Sequence, residues 1–295
     1  MVKSGDYELP GIITIPKGLK SYPIVVFIHG SGPNDRDETF GPNKPFHDLA
    51  QGLASHGIAC LRYDKRTFVY GKKSAPEGIP IDIAAEVLID ANNAIALAAN
   101  YNNASGRVFV LGHSLGGMLA PKIANENQLL EGIILMAGNA RPLEKLIVEQ
   151  YRYLFAQDGI NQKEEKTLID LEEQIDNLEK LKKNPEYMDL QLPLDLSPSY
   201  WKSLLAYDQV SEMKAVNTKI LILQGERDYQ VTMEDFQLWK NVLKNNSRVS
   251  FISYPKLNHL FLEGEGPSYP SEYQVQGYIP DYVIKDIADW ILEDE

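Results

Sequence analysis

Short unbroken apolar runs alternate along this chain with longer stretches in which apolar residues return every three or four positions. Pro23 to Ile28 is apolar throughout. Such a run predicts a strand covered on both faces, as parallel strands are. Ile58 to Tyr63, residues 107–111, Leu130 to Ala137, Lys219 to Gln224 and Val249 to Tyr254 read as further strands. Pro45 to His56, Asp82 to Asn100, Met233 to Asn245 and residues 281–291 carry helical stripes. Residues 7–15 predict an extended edge hairpin, turned by Pro16-Lys17-Gly18. Residues 68–80, rich in glycine, proline and lysine, predict a loop. Strand and helix alternate at short spacing. The natural solution is a mostly parallel central sheet flanked by helices, with right-handed crossovers.

The rhythm breaks between Arg141 and Val216. Residues 141–157 read as helical and carry Tyr151, Tyr153 and Phe155. In residues 163–183, Leu168, Leu171, Ile175, Leu178 and Leu181 form one apolar stripe on an otherwise charged helix. The expected organisation is an α/β core of residues 1–140 and 217–295, with residues 141–216 inserted as a helical cap. The same stripe would suit a homodimer paired through the cap, although it is too short to demand a partner.

Composition narrows the picture. A chain of 295 residues that is 44% hydrophobic can bury one large core. Its single cysteine, Cys60, lies in an apolar run, so no internal disulfide forms. That suits a reducing, cytoplasmic setting, as does the lack of a signal-like or membrane-spanning stretch. A secreted or periplasmic protein trimmed of its leader would read the same way. A net charge of −12 argues against a nucleic-acid partner. The histidines lack metal-ligand spacing, so neither metal nor cofactor is expected.

The stretch that changes the reading most is Gly112-His113-Ser114-Leu115-Gly116. It matches G-x-S-x-G, the nucleophile elbow, with a strand before it and a helical pattern after it. Glycines on both sides would let backbone pass close to a strained Ser114. A serine hydroxyl needs a base. Among five histidines, only His259 follows the last strand, at the sheet end expected for Ser114. His29 and His113 adjoin glycines at strand ends and read as structural or loop-orienting. His47 and His56 belong to a helix. The imidazole in turn needs an acid. Asp228, in Gly225-Glu-Arg-Asp228 after a strand, is the first choice and Glu226 its competitor. The chain order serine, acid, histidine is that of the α/β-hydrolases. Oxyanion donors are expected at the N–H of Leu115 and of Ser31, with Gly32 as the alternative to Ser31.

On these residues the chain resembles serine esterases of the α/β-hydrolase superfamily, near bacterial feruloyl/cinnamoyl esterases and dienelactone-hydrolase-like proteins. Gly30-Ser-Gly-Pro-Asn-Asp-Arg-Asp-Glu38, Gly41-Pro-Asn-Lys-Pro-Phe46 and Leu61-Arg-Tyr-Asp-Lys-Arg66 carry the more specific likeness. The resemblance covers residues 8–140 and 217–291. It implies an α/β-hydrolase fold, a small-molecule ester substrate, and an acyl-enzyme route through Ser114, Asp228 and His259. Dienelactone hydrolases usually carry cysteine as nucleophile, which argues against that activity here. Serine peptidase and acyltransferase chemistry fit the same pattern. A non-catalytic binding protein on the fold should have lost a triad residue, and none is lost.

Substrate contacts are expected from Trp201 above all, and from Tyr200 and Tyr229, aromatics able to line a slot for an acyl or aryl group. Arg36 could recognise a substrate carboxylate, as could Lys65. The plainer reading of the charged residues 34–37 and 62–66 is an ion-pair network tying the oxyanion loop to its neighbour.

Overall fold

The computed structural model describes residues 1–187 and 189–293. The chain opens with β1 (Val2–Ser4), β2 (Tyr7–Leu9), β3 (Gly11–Thr14) and β4 (Tyr22–Ile28). Then come α1 (Pro45–Ser55), β5 (Ala59–Tyr63), α2 (Arg66–Tyr70), α3 (Ile89–Ala99) and β6 (Ala104–His113). The elbow helix α4 (Leu115–Glu126) leads to β7 (Leu130–Met136). Four helices follow: α5 (Leu143–Phe155), α6 (Gln162–Lys183), α7 (Pro198–Leu205) and α8 (Gln209–Ala215). The chain then returns through β8 (Lys219–Gly225), α9 (Met233–Val242), β9 (Val249–Tyr254) and α10 (Asp281–Leu292).

Seven strands form the main sheet in the order β3-β5-β4-β6-β7-β8-β9. All neighbours pair in parallel except β3, which runs antiparallel along β5. This is an α/β-hydrolase fold with a helical cap region, α5 to α8, inserted between β7 and β8. The central strands alternate strictly. Ile24, Val26, Val108, Val110, Ile133 and Leu135 face α3, α4 and the cap. Val25, Phe27, Phe109, Leu111 and Ile134 face α1 and α10. Each fully buried side chain of this size contributes about 1.5–3 kcal/mol, which is why the apolar runs are continuous. The charged helix α6 turns Leu171, Leu178 and Leu181 into the core, with Ile175 partly buried against it.

Two predicted elements differ. Residues 7–15 are not one hairpin: β2 pairs with β1 outside the main sheet, while β3 joins the edge beside β5. Pro10 separates them, because it cannot donate to a continuous ladder. Its carbonyl instead accepts the Asp64 N–H at 2.7 Å. Residues 68–80 are not all loop. α2 and a 3-10 turn at Gly71–Lys73 occupy their first part, anchored by the buried Arg66–Asp90 ion pair. That partner lies too far along the chain for local propensity to reveal. The helix expected from Asp82 also begins differently, as a π-helical turn at Ala84–Leu88. Among the described residues, no helix is long and apolar enough to cross a membrane.

Candidate active site

β6 ends at His113 and α4 begins at Leu115, leaving Ser114 alone in the turn with φ 51° and ψ −115°. Such a backbone costs on the order of 1–3 kcal/mol and persists only when its surroundings impose it. Here the glycines allow the imposition. A Cβ on Gly112 would lie 2.2 Å from the Gly116 carbonyl oxygen, and one on Gly116 would lie 2.2 Å from that of Ile28. The Ser114 N–H donates to Met136 O (2.9 Å), and its own carbonyl accepts the Met118 N–H (2.8 Å). Leu115 is the first residue of α4, so its N–H has no partner within the helix and lies at the positive end of the helix dipole.

His259 follows β9 in a loop that returns over the sheet. Its Nδ1 lies 2.7 Å from Asp228 Oδ2. Both side chains are buried. Asp228 is held firmly: its Oδ1 accepts the N–H of Gln230 (2.8 Å) and Val231 (3.0 Å), and Oδ2 accepts from Gln224 Nε2 (3.2 Å). Glu226, the competitor, is exposed and accepts from Ser253 Oγ at 2.7 Å. Ser114, His259, Ser31, Gly32 and Leu115 all line one cavity of about 610 Å³. The arrangement provides a serine, an imidazole oriented by a carboxylate, and a helix N-terminus at one concave surface.

The cavity wall is mainly apolar. Leu143, Leu146 and Ile147 on α5, with Leu194, Leu196 and Tyr200, come from the cap, while Leu115, Met118, Val231 and Leu260 come from the core. Phe40, Lys72 and Leu194 line it yet are exposed, which puts them at its mouth. Leu143 and Leu146 of α5 are not among the pocket residues expected from the sequence. Their spacing on an amphipathic cap helix was the signal available.

Three expected pocket residues lie elsewhere. Trp201 is wholly buried and donates its Nε1–H to Pro193 O at 3.0 Å. Its neighbour Tyr200 takes the cavity-facing position, about 100° round the helix. Tyr229 stacks on Tyr153, with ring centroids 5.0 Å apart. Arg36 grips Asp64 through Nε (2.8 Å) and Nη2 (2.6 Å), as the ion-pair reading expected, and does not line the cavity. Lys65 is likewise committed, to Glu86 and to the Gly30 carbonyl.

Two further histidines surround the site. His113 places Nε2 2.9 Å from the carbonyl oxygen of His259, with Nδ1 3.1 Å from Glu38 Oε2. Burial, the largest single influence, pulls its pKa down, but Glu38, the His259 carbonyl and Asp228 together leave it raised. Burial is the largest single influence on Glu38 and pushes its pKa up, but His113, His29 and the Gly30 N–H together hold it below the usual carboxylate value. His29, packed against Phe46 and Tyr63, differs: burial lowers its pKa from 6.5 to about 4. Its folded form therefore stays neutral where the unfolded chain takes up a proton. The stability this gives is complete above the unfolded pKa and is lost as pH falls from about 6.5 toward about 4. At about pH 5 the loss should reach roughly 2 kcal/mol. Urea denaturation of the wild type and His29→Leu between about pH 4.5 and 7 checks this. The variant should show a shallower acid slope, and equal slopes would contradict the assignment.

With the elbow, the sheet order and the Asp228–His259 pair in place, the molecule is an α/β-hydrolase. Residues 23–265 match the family described as Serine aminopeptidase, S33 (Hydrolase_4), and the chain belongs to that family. It is 41% identical over 285 residues to Esterase EstD of Thermotoga maritima, a match covering 97% of this chain and 66% of that protein. Among solved structures, Est1E from Butyrivibrio proteoclasticus superposes with a TM-score of 0.62 at 16% identity, covering 99% of this chain and 98% of that one. A dienelactone hydrolase from Anabaena variabilis gives a TM-score of 0.55 at 15% identity, covering 99% and 94%. At those identities the likeness is one of fold.

Proposed function

We propose that this chain is a carboxylic-ester hydrolase acting on small or medium acyl or aryl esters. The observation that carries this reading is the 2.7 Å Asp228–His259 contact beside Ser114 in one apolar-walled cavity. Ser114 Oγ attacks the ester carbonyl while His259 Nε2 takes its proton. The N–H groups of Leu115 and Ser31 meet the negative charge that develops on the carbonyl oxygen. The tetrahedral intermediate collapses, and His259 passes its proton to the departing alcohol. Water, deprotonated by the same imidazole, then attacks the acyl-serine and releases the acid. The cavity is within the usual range for a small ligand, and its leucines suit an apolar acyl or aryl group. A cytoplasmic setting and the absence of a nucleic-acid partner belong to the same proposal.

The family's description favours a second reading, an aminopeptidase. That activity needs an anionic group to receive the substrate's ammonium. The acids lining the cavity, Glu38 and Glu86, already face His113 and Lys65. The ester reading is therefore preferred. Incubation with a short-chain aryl ester, an aminoacyl arylamide and an active-serine phosphonate decides between them. Ester turnover with Ser114 labelled is expected. Cleavage of the arylamide alone would make it a peptidase, and folded protein with neither turnover nor label would end the hydrolase proposal.

A further inference from the structure

A buried ion pair, Lys65–Glu86, and a buried Glu38–His113 contact converge on the peptide groups flanking Gly30, the residue before the proposed oxyanion donor Ser31. The Gly30 N–H donates to Glu38 Oε1 at 2.6 Å, and Glu38 is the partner of His113 in the elbow. The Gly30 carbonyl accepts from Lys65 Nζ at 2.7 Å. Lys65 is paired with Glu86, whose other oxygen accepts the hydroxyl of Tyr200. Lys65 and Glu86 expose only 3% and 7% of their side chains. Burial and the Glu86 carboxylate raise the Tyr200 pKa, so its hydroxyl stays protonated and donates.

The three side chains come from different parts of the fold. Lys65 precedes α2, Glu86 stands in the π-helical turn at Ala84–Leu88, and Tyr200 belongs to the cap helix α7. Widened turns of this kind recur at functional sites. A buried ion pair is a poor source of net stability, because desolvation offsets the attraction. What it does provide is a fixed geometry. Tyr200, Glu86 and Gly30 also line the cavity, so a bound acyl group would lie against this chain of contacts.

We propose that Tyr200, Glu86 and Lys65 form a positioning relay through which the seated cap sets the oxyanion loop at Gly30–Ser31. It rests on the hydrolase reading for its catalytic consequence. With the Tyr200 hydroxyl present, Glu86 is fixed and Lys65 is drawn onto the Gly30 carbonyl. Without it, Glu86 and Lys65 gain freedom and the Ser31 N–H loses its aim. The relay touches no reacting atom. Its signature is a loss in the transition state with little change in ground-state binding.

The test compares wild type, Tyr200→Phe, Glu86→Gln and the double variant on a short-chain aryl ester. Tyr200→Phe should lower kcat about tenfold, less than deletion of an oxyanion donor would, with KM within about twofold. Binding of an alkyl boronic acid, which places an oxygen in the oxyanion site, should weaken by the same factor. The double variant should be no slower than Glu86→Gln alone, since both cut one chain of contacts. Wild-type kcat with a raised KM in Tyr200→Phe would reduce that residue to a cavity wall and overturn the relay, as would additive losses. Amide exchange of residues 30–34 provides a readout that needs no turnover. It should quicken in Tyr200→Phe, and unchanged exchange refutes the relay even if Glu86→Gln fails to fold. An inactive, unlabelled wild type with quickened exchange in the variant would instead count against the hydrolase reading and leave the relay standing.

Discussion

Ser114→Ala is expected to reduce kcat on an aryl ester by about 10⁶-fold, the loss typical of removing a catalytic serine. KM should change little, because the apolar wall and the loop donors remain. The substitution should also leave the fold intact. Ser114 stands at the N-terminus of α4, but its hydroxyl caps no backbone N–H there. Alanine meets the same positive φ at no greater penalty, so stability should shift by no more than about 1 kcal/mol. Adding His259→Ala should cost almost nothing further, because the imidazole has no proton to accept once the hydroxyl is gone. Steady-state kinetics and intact-mass measurement after phosphonate treatment check both points. A variant that retains more than about a hundredth of the wild-type rate would move the nucleophile away from Ser114.

The strands were legible because the parallel sheet is buried on both faces, and burial on both faces writes an unbroken apolar run. The elbow was legible for a steric reason. Gly112 and Gly116 stand where a Cβ would strike backbone, so the motif records contacts made in the fold. Asp228 and His259 could be read because each follows a strand in the core, and a loop at a strand's end is placed by the sheet itself.

The cap shows where this kind of reading stops. Tyr200 and Trp201 are adjacent aromatics on one short helix, and both are buried. Hydropathy cannot say which of two buried neighbours faces the cavity, because that depends on how α7 is rotated against the rest of the cap. Tyr229 fails for a related reason. Its stacking partner, Tyr153, comes from the inserted helix α5. The charged loops are the ion-pair network that the plainer reading expects, but its buried members were not legible. Glu38, Lys65 and Glu86 look in sequence like solvated residues, and only their partners across the fold allow them to be buried. Arg36 reads as a possible substrate contact, but Asp64, 28 positions along the chain, engages its Nε and Nη2 in a fork.

Asp228→Asn should lower kcat by about 10⁴-fold, and the hydrogen bonds around the carboxylate explain why. Oδ1 accepts two backbone N–H groups, from Gln230 and Val231, and the side-chain carbonyl of asparagine would keep that position. The amide nitrogen would then point at His259 Nδ1, where Oδ2 now stands. An amide there donates, so Nδ1 must accept, and the ring's single proton moves to Nε2. A protonated Nε2 cannot remove the proton of Ser114, although the imidazole has not moved. The new amide would also face the Gln224 side-chain N–H, replacing an attraction with two opposed donors, at about 1–3 kcal/mol of stability. Glu226→Gln is the control, since that carboxylate is exposed and turned toward Ser253, and its rate should stay within about twofold. Kinetics of the two variants at one pH separate the acids. A strong loss in Glu226→Gln, with Asp228→Asn near wild type, would reassign the carboxylate that orients His259 and would require the loop after β8 to rearrange on binding substrate.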